Sequence, residues 1–600
     1  MLIGNTGAVL LILLACAVVG QRLLRLFARL PLTGEEEFFY GLGLGLGALS
    51  YLVYLIGLMG WLKGGVPVLM MGVAGCAGFS LSFRRGRQDV YEMLGAILHM
   101  PMAFARRLPS FYRYSPVIIL LLAFLGSGVP IHLTDDLHFY SLLPKHFMEE
   151  GRIVGWVEGS YGALNMVPLG GLSLFTLLYG LGGDGFVIAF QFLIGLLAVV
   201  GTAVLFRRMV GAEAAVLGAV IFVTTPIVVL MLSATRVDFL VAVMATVSLH
   251  ALYCGIERRE KNTRAFLILA AIFLGFSVGV KLTAVPLVIV VYGSVILFSL
   301  AGRLVLRSRE VIIMVVLSLA LAVPWLARAW WYTGNPVWPF LNETLGHLGL
   351  SVLAAHGTSI ESYGTPSALA SPARVLRLAW QFVHDFSAPP SSGAHVMFAS
   401  FFPLIVFSVF SWSAGLAIRV LTVVSALYFW LLFSIAPEGQ FRYAMAGLPA
   451  ISCVTGFSVV ALKSRFSWIK PVAHTIVGFS CVLAVLLAVR TNLYRLPYIA
   501  GIEKQEQFVA RMNLTYSGAY PFSMLMMEEI VKESGLSPFS SRLRYDTEPT
   551  PDFKAYYGEG YFRQLREEAW AAAKRGDVSF IVTVDPSGHI RLRTPGPSGP

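Results

Sequence analysis

The chain has 600 residues, 57% of them hydrophobic and only 13% charged, and its mean hydropathy is +0.74. That much apolar surface exceeds what one soluble core can bury, which excludes a soluble globular protein and leaves an all-α polytopic membrane protein. The formal net charge of +12 comes from short basic clusters lying between apolar runs. Such clusters read as topology signals, so membrane lipids are partners and nucleic acid is not.

Residues 7–19 form the first apolar run, with no basic residue before it and Arg22, Arg25 and Arg29 after it. This is the reverse of a cleavable signal peptide and predicts a membrane helix whose N-terminus is outside. Spans at 38–61 and 66–83 follow, each near the roughly 20 residues a bilayer demands. Within the first of these, the alternation from Gly41 to Gly47 sits among apolar residues, which predicts close helix packing rather than a phosphate loop. Residues 1–84 are thus an N-terminal three-helix region, and the arginine-rich stretch 85–114 is a cytoplasmic loop. The five cysteines (Cys16, Cys76, Cys254, Cys453 and Cys481) all lie in apolar runs and are expected to be buried small hydrophobes.

The run 115–131 then crosses outward and delivers the most ionisable segment of the chain, 132–152, to the outer face. It reads HLTDDLHFYSLLPKHFMEEGR. Residues 168–180 are short for a span and are expected to lie as a helix at the outer surface, followed by a single span at 185–206. Spans at 214–232, 239–255, 265–280, 284–301 and 311–332 place Arg207 and Arg208, then Arg258, Arg259, Lys261 and Arg264, then Arg303, Arg307 and Arg309 inside. Residues 333–395 form an external loop, and residues 396–490 hold four further spans at 396–412, 417–435, 443–462 and 471–489. The total is about fourteen transmembrane helices. The polar tail 491–600 is external, a small α+β appendage with an amphipathic helix at 562–575 and a hairpin from 578–584 and 590–593.

This topology sorts the ionisable residues. Besides the 132–152 loop, the outer face receives Arg236 and Asp238, Lys281, and Glu438 with Arg442, each in an unusually tight connection between spans. Short connections hold side chains near the interface, so these groups are placed to converge over one cavity. A lysine between two apolar spans is costly unless paired or hydrated.

The order of short motifs resembles the GT-C fold glycosyltransferases, the polytopic enzymes that include protein O-mannosyltransferases and lipid A aminoarabinose transferases, and in particular their bacterial relatives. The matching residues are Asp135-Asp136-Leu137-His138-Phe139-Tyr140, Leu143-Pro144-Lys145, Gly151-Arg152-Ile153, Asn165 to Leu169, Thr225-Pro226, Val237-Asp238, Gly279 to Ala284, Thr333 to Pro339, and Arg442-Tyr443 to Leu448-Pro449. The resemblance implies a seven-helix catalytic module, here 115–332, with juxtamembrane helices in its first external loop. It also implies transfer of a sugar from a polyprenyl-phosphate donor to a hydroxyl of an envelope lipid, glycan or protein, on the periplasmic side of the bacterial inner membrane.

In that family the aspartate of the first external loop acts on the acceptor, and spacing to Pro144-Lys145 puts it at Asp135. Tyr140 lies one step beyond the expected aromatic position, Phe139, and a register slipped by one residue makes Asp136 the functional carboxylate. A carboxylate suits this role because it accepts the hydroxyl proton and stabilises oxocarbenium character. Lys281, Arg236 and Arg442 are the candidates for binding the donor phosphate. Asp238, His138, Tyr140 and Lys145 are assigned to the acceptor or to support, and Asp238 is open to three roles: binding hydroxyls, orienting Arg236 or contributing to a metal site. The resemblance leaves a divalent metal open as a cofactor, since some members of the family use one and some do not; no HxH or HxxxH pattern provides a histidine metal site. Competing readings are a secondary transporter or flippase, which places its site at the midplane of two related halves, a noncatalytic membrane subunit, and an envelope polysaccharide ligase or polymerase.

Overall fold

A backbone surrounded by lipid must satisfy its polar groups internally, so long apolar runs become helices. The protein is described from a computed structural model covering residues 2–27, 30–82, 110–131, 136–155, 166–257, 262–300, 308–338, 415–435, 441–465 and 469–505, with residues 91, 95 and 345 and parts of 508–594. Three helices open the chain: α1 (Leu2–Phe27), α2 (Gly34–Leu58) and α3 (Leu62–Ser82). After α4 (Ser110–Gly126) come a π-helical turn (Asp136–Ser141), α5 (Leu142–Glu150) and α6 (Gly170–Gly182). The centre of the chain holds α7 (Asp184–Val210), α8 (Ala212–Val223), α9 (Pro226–Met231), α10 (Asp238–Glu257), α11 (Thr263–Val280), α12 (Val285–Leu300) and α13 (Ser308–Thr333). The last membrane helices are α14 (Leu416–Ile435), α15 (Leu448–Arg465) and α16 (Ile469–Leu493), followed by the short α17 (Leu496–Ile499).

Among the described residues, nine helices are long and apolar enough to cross a membrane, and five shorter apolar helices of 10–17 residues accompany them. Every span expected from hydropathy coincides with an apolar helix except 396–412, which lies outside the described residues together with nearly all of the 333–395 loop. The chain is therefore a multi-pass helical membrane protein. Its central helix is α10, buried along nearly its whole length against α7, α11 and the 3-10 turn Phe441–Ala446.

Three details depart from the sequence reading. The span 214–232 is broken into α8 and α9 because Pro226 has no amide to continue the ladder; Thr224 and Thr225 turn their hydroxyls back onto Val220 and Ile221 instead. The short helix expected from 168–180 is α6, which is buried from Gly170 to Leu178 and packs on α2 and α5. Cys76 is exposed, whereas the other four cysteines are buried, because α3 turns much of its surface outward. In the tail, the expected hairpin is β2 (Phe580–Val584) with β3 (Ile590–Arg593), and β1 (Leu543–Tyr545) adds a parallel strand to β2 that periodicity did not indicate.

The glycines of α2 permit the tightest crossing. A Cβ at Gly41 or Gly45 would strike the carbonyls of Ala17 or Cys16 on α1, so backbone meets backbone here. At the start of α2, Thr33 and Glu36 form a capping box, and the adjacent carboxylates gather the basic end of α7. Arg207 meets Glu35 at 2.5 Å and Arg208 meets the fully buried Glu36 at 2.6 Å, while Tyr40 reaches His250 Nδ1 at 3.0 Å. This polar knot ties the N-terminal helices to the central ones at the end of the bundle opposite Asp238.

Candidate active site

Four connections meet at one end of α10. They are the π-helical turn at Asp136, residues 232–237 between α9 and α10, Lys281 after α11, and the 3-10 turn Phe441–Ala446. A π-turn widens the helix locally and is frequent at functional sites. The glycines at the start of α6 allow the approach: a Cβ at Gly170 would lie 2.6 Å from Gly279 O, and one at Gly171 would enter the Val237 side chain. Only residues without a side chain let α6 press against both the Val237 and the Lys281 connections.

Two ion pairs define the geometry. Asp136 is buried, and each of its oxygens accepts a hydrogen bond: Oδ1 from Arg236 Nε at 2.7 Å and Oδ2 from the Thr235 amide at 2.5 Å. Asp238, 1% exposed, accepts from Lys281 Nζ at 2.7 Å through Oδ1, while its Oδ2 is buried with no hydrogen-bond partner among the described residues. Lys281 Nζ also lies 5.1 Å from the centre of the Tyr443 ring, and the Arg442 guanidinium lies 5.3 Å from the same ring. Burial is the largest influence and opposes the charge of Lys281, but Asp238, Tyr140 and Tyr443 together outweigh it and hold the ammonium above its ordinary pKa. Tyr140, buried edge-on against Phe175, has its hydroxyl raised by burial; Lys281, Arg442 and Arg236 lower it and Asp238 raises it. One tyrosine thus senses Lys281, Asp238, Arg442 and Arg236 together.

Among the described residues the cluster sets Asp136 and Asp238 against Arg236, Lys281 and Arg442, two carboxylates to three cations. It is suited to an anion. A divalent cation does not fit the described residues well: both carboxylates are already engaged by cations, and an ion at Asp238 Oδ2 would face the Lys281 ammonium. Among the described residues no group of three metal-ligating side chains occurs.

Of the other sequence candidates, Lys145 lies on α5 and faces Glu149 one turn on, 4.0 Å away. Asp135, Glu438 and the side chain of His138 lie outside the described residues. Two contributors escaped the sequence reading. Thr235 acts through its backbone amide, which no residue type reveals, and the Tyr443 ring carries both Lys281 and Arg442, for which the Arg442-Tyr443 dipeptide was the available signal.

Residues 170–330, which include Arg236, Asp238 and Lys281, match the family model described as dolichyl-phosphate-mannose-protein mannosyltransferase. Over that segment the chain is similar to this family of membrane glycosyltransferases. Among solved structures, the chain is similar to ArnT from Cupriavidus metallidurans bound to undecaprenyl phosphate, at 17% identity and a TM-score of 0.42 over 77% of this chain and 78% of that one. It is also similar to the archaeal oligosaccharyltransferase AglB from Archaeoglobus fulgidus in complex with an inhibitory peptide and a dolichol-phosphate, at 11% identity and a TM-score of 0.40 over 80% and 74%. No curated protein sequence matches the chain.

Proposed function

We propose that the enzyme moves a sugar from a polyprenyl-phosphate donor to a hydroxyl of an envelope lipid, glycan or protein at the outer face of the bacterial inner membrane. The observation that supports this is the convergence of Arg236, Lys281 and Arg442 with the buried carboxylates Asp136 and Asp238 at one end of α10. The placement outside rests on Arg207 and Arg208 lying at the opposite end of the bundle, where basic residues mark the cytoplasmic side.

Lys281, Arg236 and Arg442 hold the donor phosphate. As the bond from the anomeric carbon to the phosphate oxygen breaks, its electron pair leaves with the phosphate, and preorganised cations stabilise that charge. The acceptor oxygen forms the new bond to the anomeric carbon and gives its proton to a carboxylate. We assign that proton to Asp135. Asp136 is assigned to hold Arg236, since each of its oxygens is already engaged. Asp238 Oδ2, buried and unpartnered among the described residues, accepts a sugar or acceptor hydroxyl, and Tyr140 bounds the pocket beside it.

The test is transfer of label from undecaprenyl-phosphate sugars in membranes carrying wild type, Asp135→Asn or Asp136→Asn at matched expression. Asp135→Asn is expected to abolish transfer. Asp136→Asn is expected to retain it at a rate reduced about 10²-fold, the scale of losing a positioned charge stabiliser. If Asp136→Asn is the dead variant and Asp135→Asn is active, the roles exchange. If no donor in a broad panel is used, the reading fails.

A further inference from the structure

We infer that Arg495 is a positioning residue that clamps together the two chain segments carrying Asp136 and Arg236. The inference rests on glycosyl transfer at that site. Arg495 follows α16, outside the segment matched by the family model, and is 3% exposed. Its Nη1 donates to Gly126 O at 3.2 Å and to Ser233 Oγ at 2.6 Å. Gly126 is the last residue of α4, the helix that leads into the Asp136 turn, and Ser233 belongs to the connection that presents the Thr235 amide and Arg236. One nitrogen therefore bridges the two halves of the Asp136–Arg236 pair from behind.

The surroundings are shaped for this bridge. A Cβ at Gly126 would lie 2.7 Å from Arg495 Nη1 and 2.7 Å from Asn492 Oδ1, so the absence of a side chain gives the guanidinium its access. A separate apolar contact reinforces it: Val129 and Ile131, just before the Asp136 turn, are buried against Phe508, with Tyr498 and Ile499 packed alongside. The beginning of the C-terminal region is thus a brace beneath the site. Arginine suits the task because its planar nitrogens keep fixed directions while donating to acceptors on separate segments. An error in the Asp136–Arg236 distance of about 1 Å costs turnover out of proportion to its size.

The experiment uses the full chain in lipid nanodiscs with two independent readouts. The first is kcat and KM for transfer from an undecaprenyl-phosphate sugar. The second is the rate of maleimide labelling of Thr235→Cys in a Cys76→Ser background, since position 235 is buried and Cys76 is the exposed native cysteine. Arg495→Ala is expected to lower kcat about tenfold with KM little changed and to speed labelling about tenfold; Arg495→Lys should restore part of both. Unchanged labelling and turnover in Arg495→Ala overturn the clamp. So does a loss of turnover without faster labelling, which is a merely structural effect. Should Arg495→Ala fail to accumulate, Ser233→Ala removes one hydroxyl only, and labelling at the wild-type rate in that variant overturns the clamp as well. If wild type transfers no sugar from any donor, the functional reading fails while labelling still decides the inference.

Discussion

The two buried carboxylates of the site, Asp136 and Asp238, are used differently. Asp136 is saturated by an amide and a guanidinium, whereas Asp238 keeps one oxygen without a partner among the described residues behind its bond to Lys281. A buried pair is costly to break from one side, because the remaining charge is left in a poor solvent. Lys281→Met is accordingly expected to destabilise the protein by about 3 kcal/mol and to abolish donor binding. Adding Asp238→Asn should recover much of the stability and none of the transfer, which thermal unfolding and transfer assays on the same preparations will separate. The pH dependence follows from the sign of the shift. The pKa of Lys281 is raised from 10.5, so its contribution is complete below pH 10.5 and is lost as pH rises through the higher folded value. Unfolding temperature should therefore show no Lys281-dependent change across neutral pH, and the gap between wild type and Lys281→Met should narrow only under strongly alkaline conditions.

At the scale of elements, the positions that matter are those where side chains are missing. The α1 and α2 helices approach through Gly20, Gly41 and Gly45 until their backbones touch, and α6 reaches the site because Gly170 and Gly171 leave room for Gly279 and Val237. In lipid, where no hydrophobic force drives helices together, such close packing supplies much of the attraction. Gly45→Leu must push α1 off α2 and is expected to cost about 3 kcal/mol, at the upper end of overpacking penalties. Gly7→Ala, where a Cβ meets nothing, should be close to neutral. Comparing the unfolding temperatures of the two variants in detergent checks the contrast. The break at Pro226 belongs to the same scale: it ends α8 early, so that the short α9 can lead into the connection bearing Thr235 and Arg236.

Over the whole molecule, buried charge is concentrated at two ends of α10. The Asp238 end gathers the proposed catalytic groups, and His250, near the other end, lies beside Glu36, Arg208 and Tyr40. A rise of twelve residues of helix separates Asp238 from His250, about 18 Å along the axis, so the two clusters are spatially distinct. Glu36→Ala leaves Arg208 and the buried His250 without their carboxylate and is expected to cost about 3 kcal/mol. Because that knot is remote from the donor site, the pH profile of kcat/KM should keep its wild-type shape while the unfolding temperature falls. A changed profile would mean that the two ends are coupled.

The sequence by itself determined that the chain is a multi-pass helical membrane protein and where its described spans fall, because hydropathy over a bilayer's thickness is a property of consecutive residues. It also singled out Arg236, Asp238, Lys281 and Arg442, since charge in a tight connection between apolar spans is conspicuous in one dimension. Pairing was not legible. That Asp136 takes Arg236 while Asp238 takes Lys281, that Tyr443 carries two cations, and that Arg495 reaches back to Gly126 and Ser233 are decided by contacts between residues far apart in the chain. The same holds for β1, whose three residues have too short a pattern to announce a strand and acquire one only by lying beside β2. Local pattern selects the elements. Only the tertiary structure decides which buried charge answers which, because the cost of burying each one is set by the partner the fold brings to it.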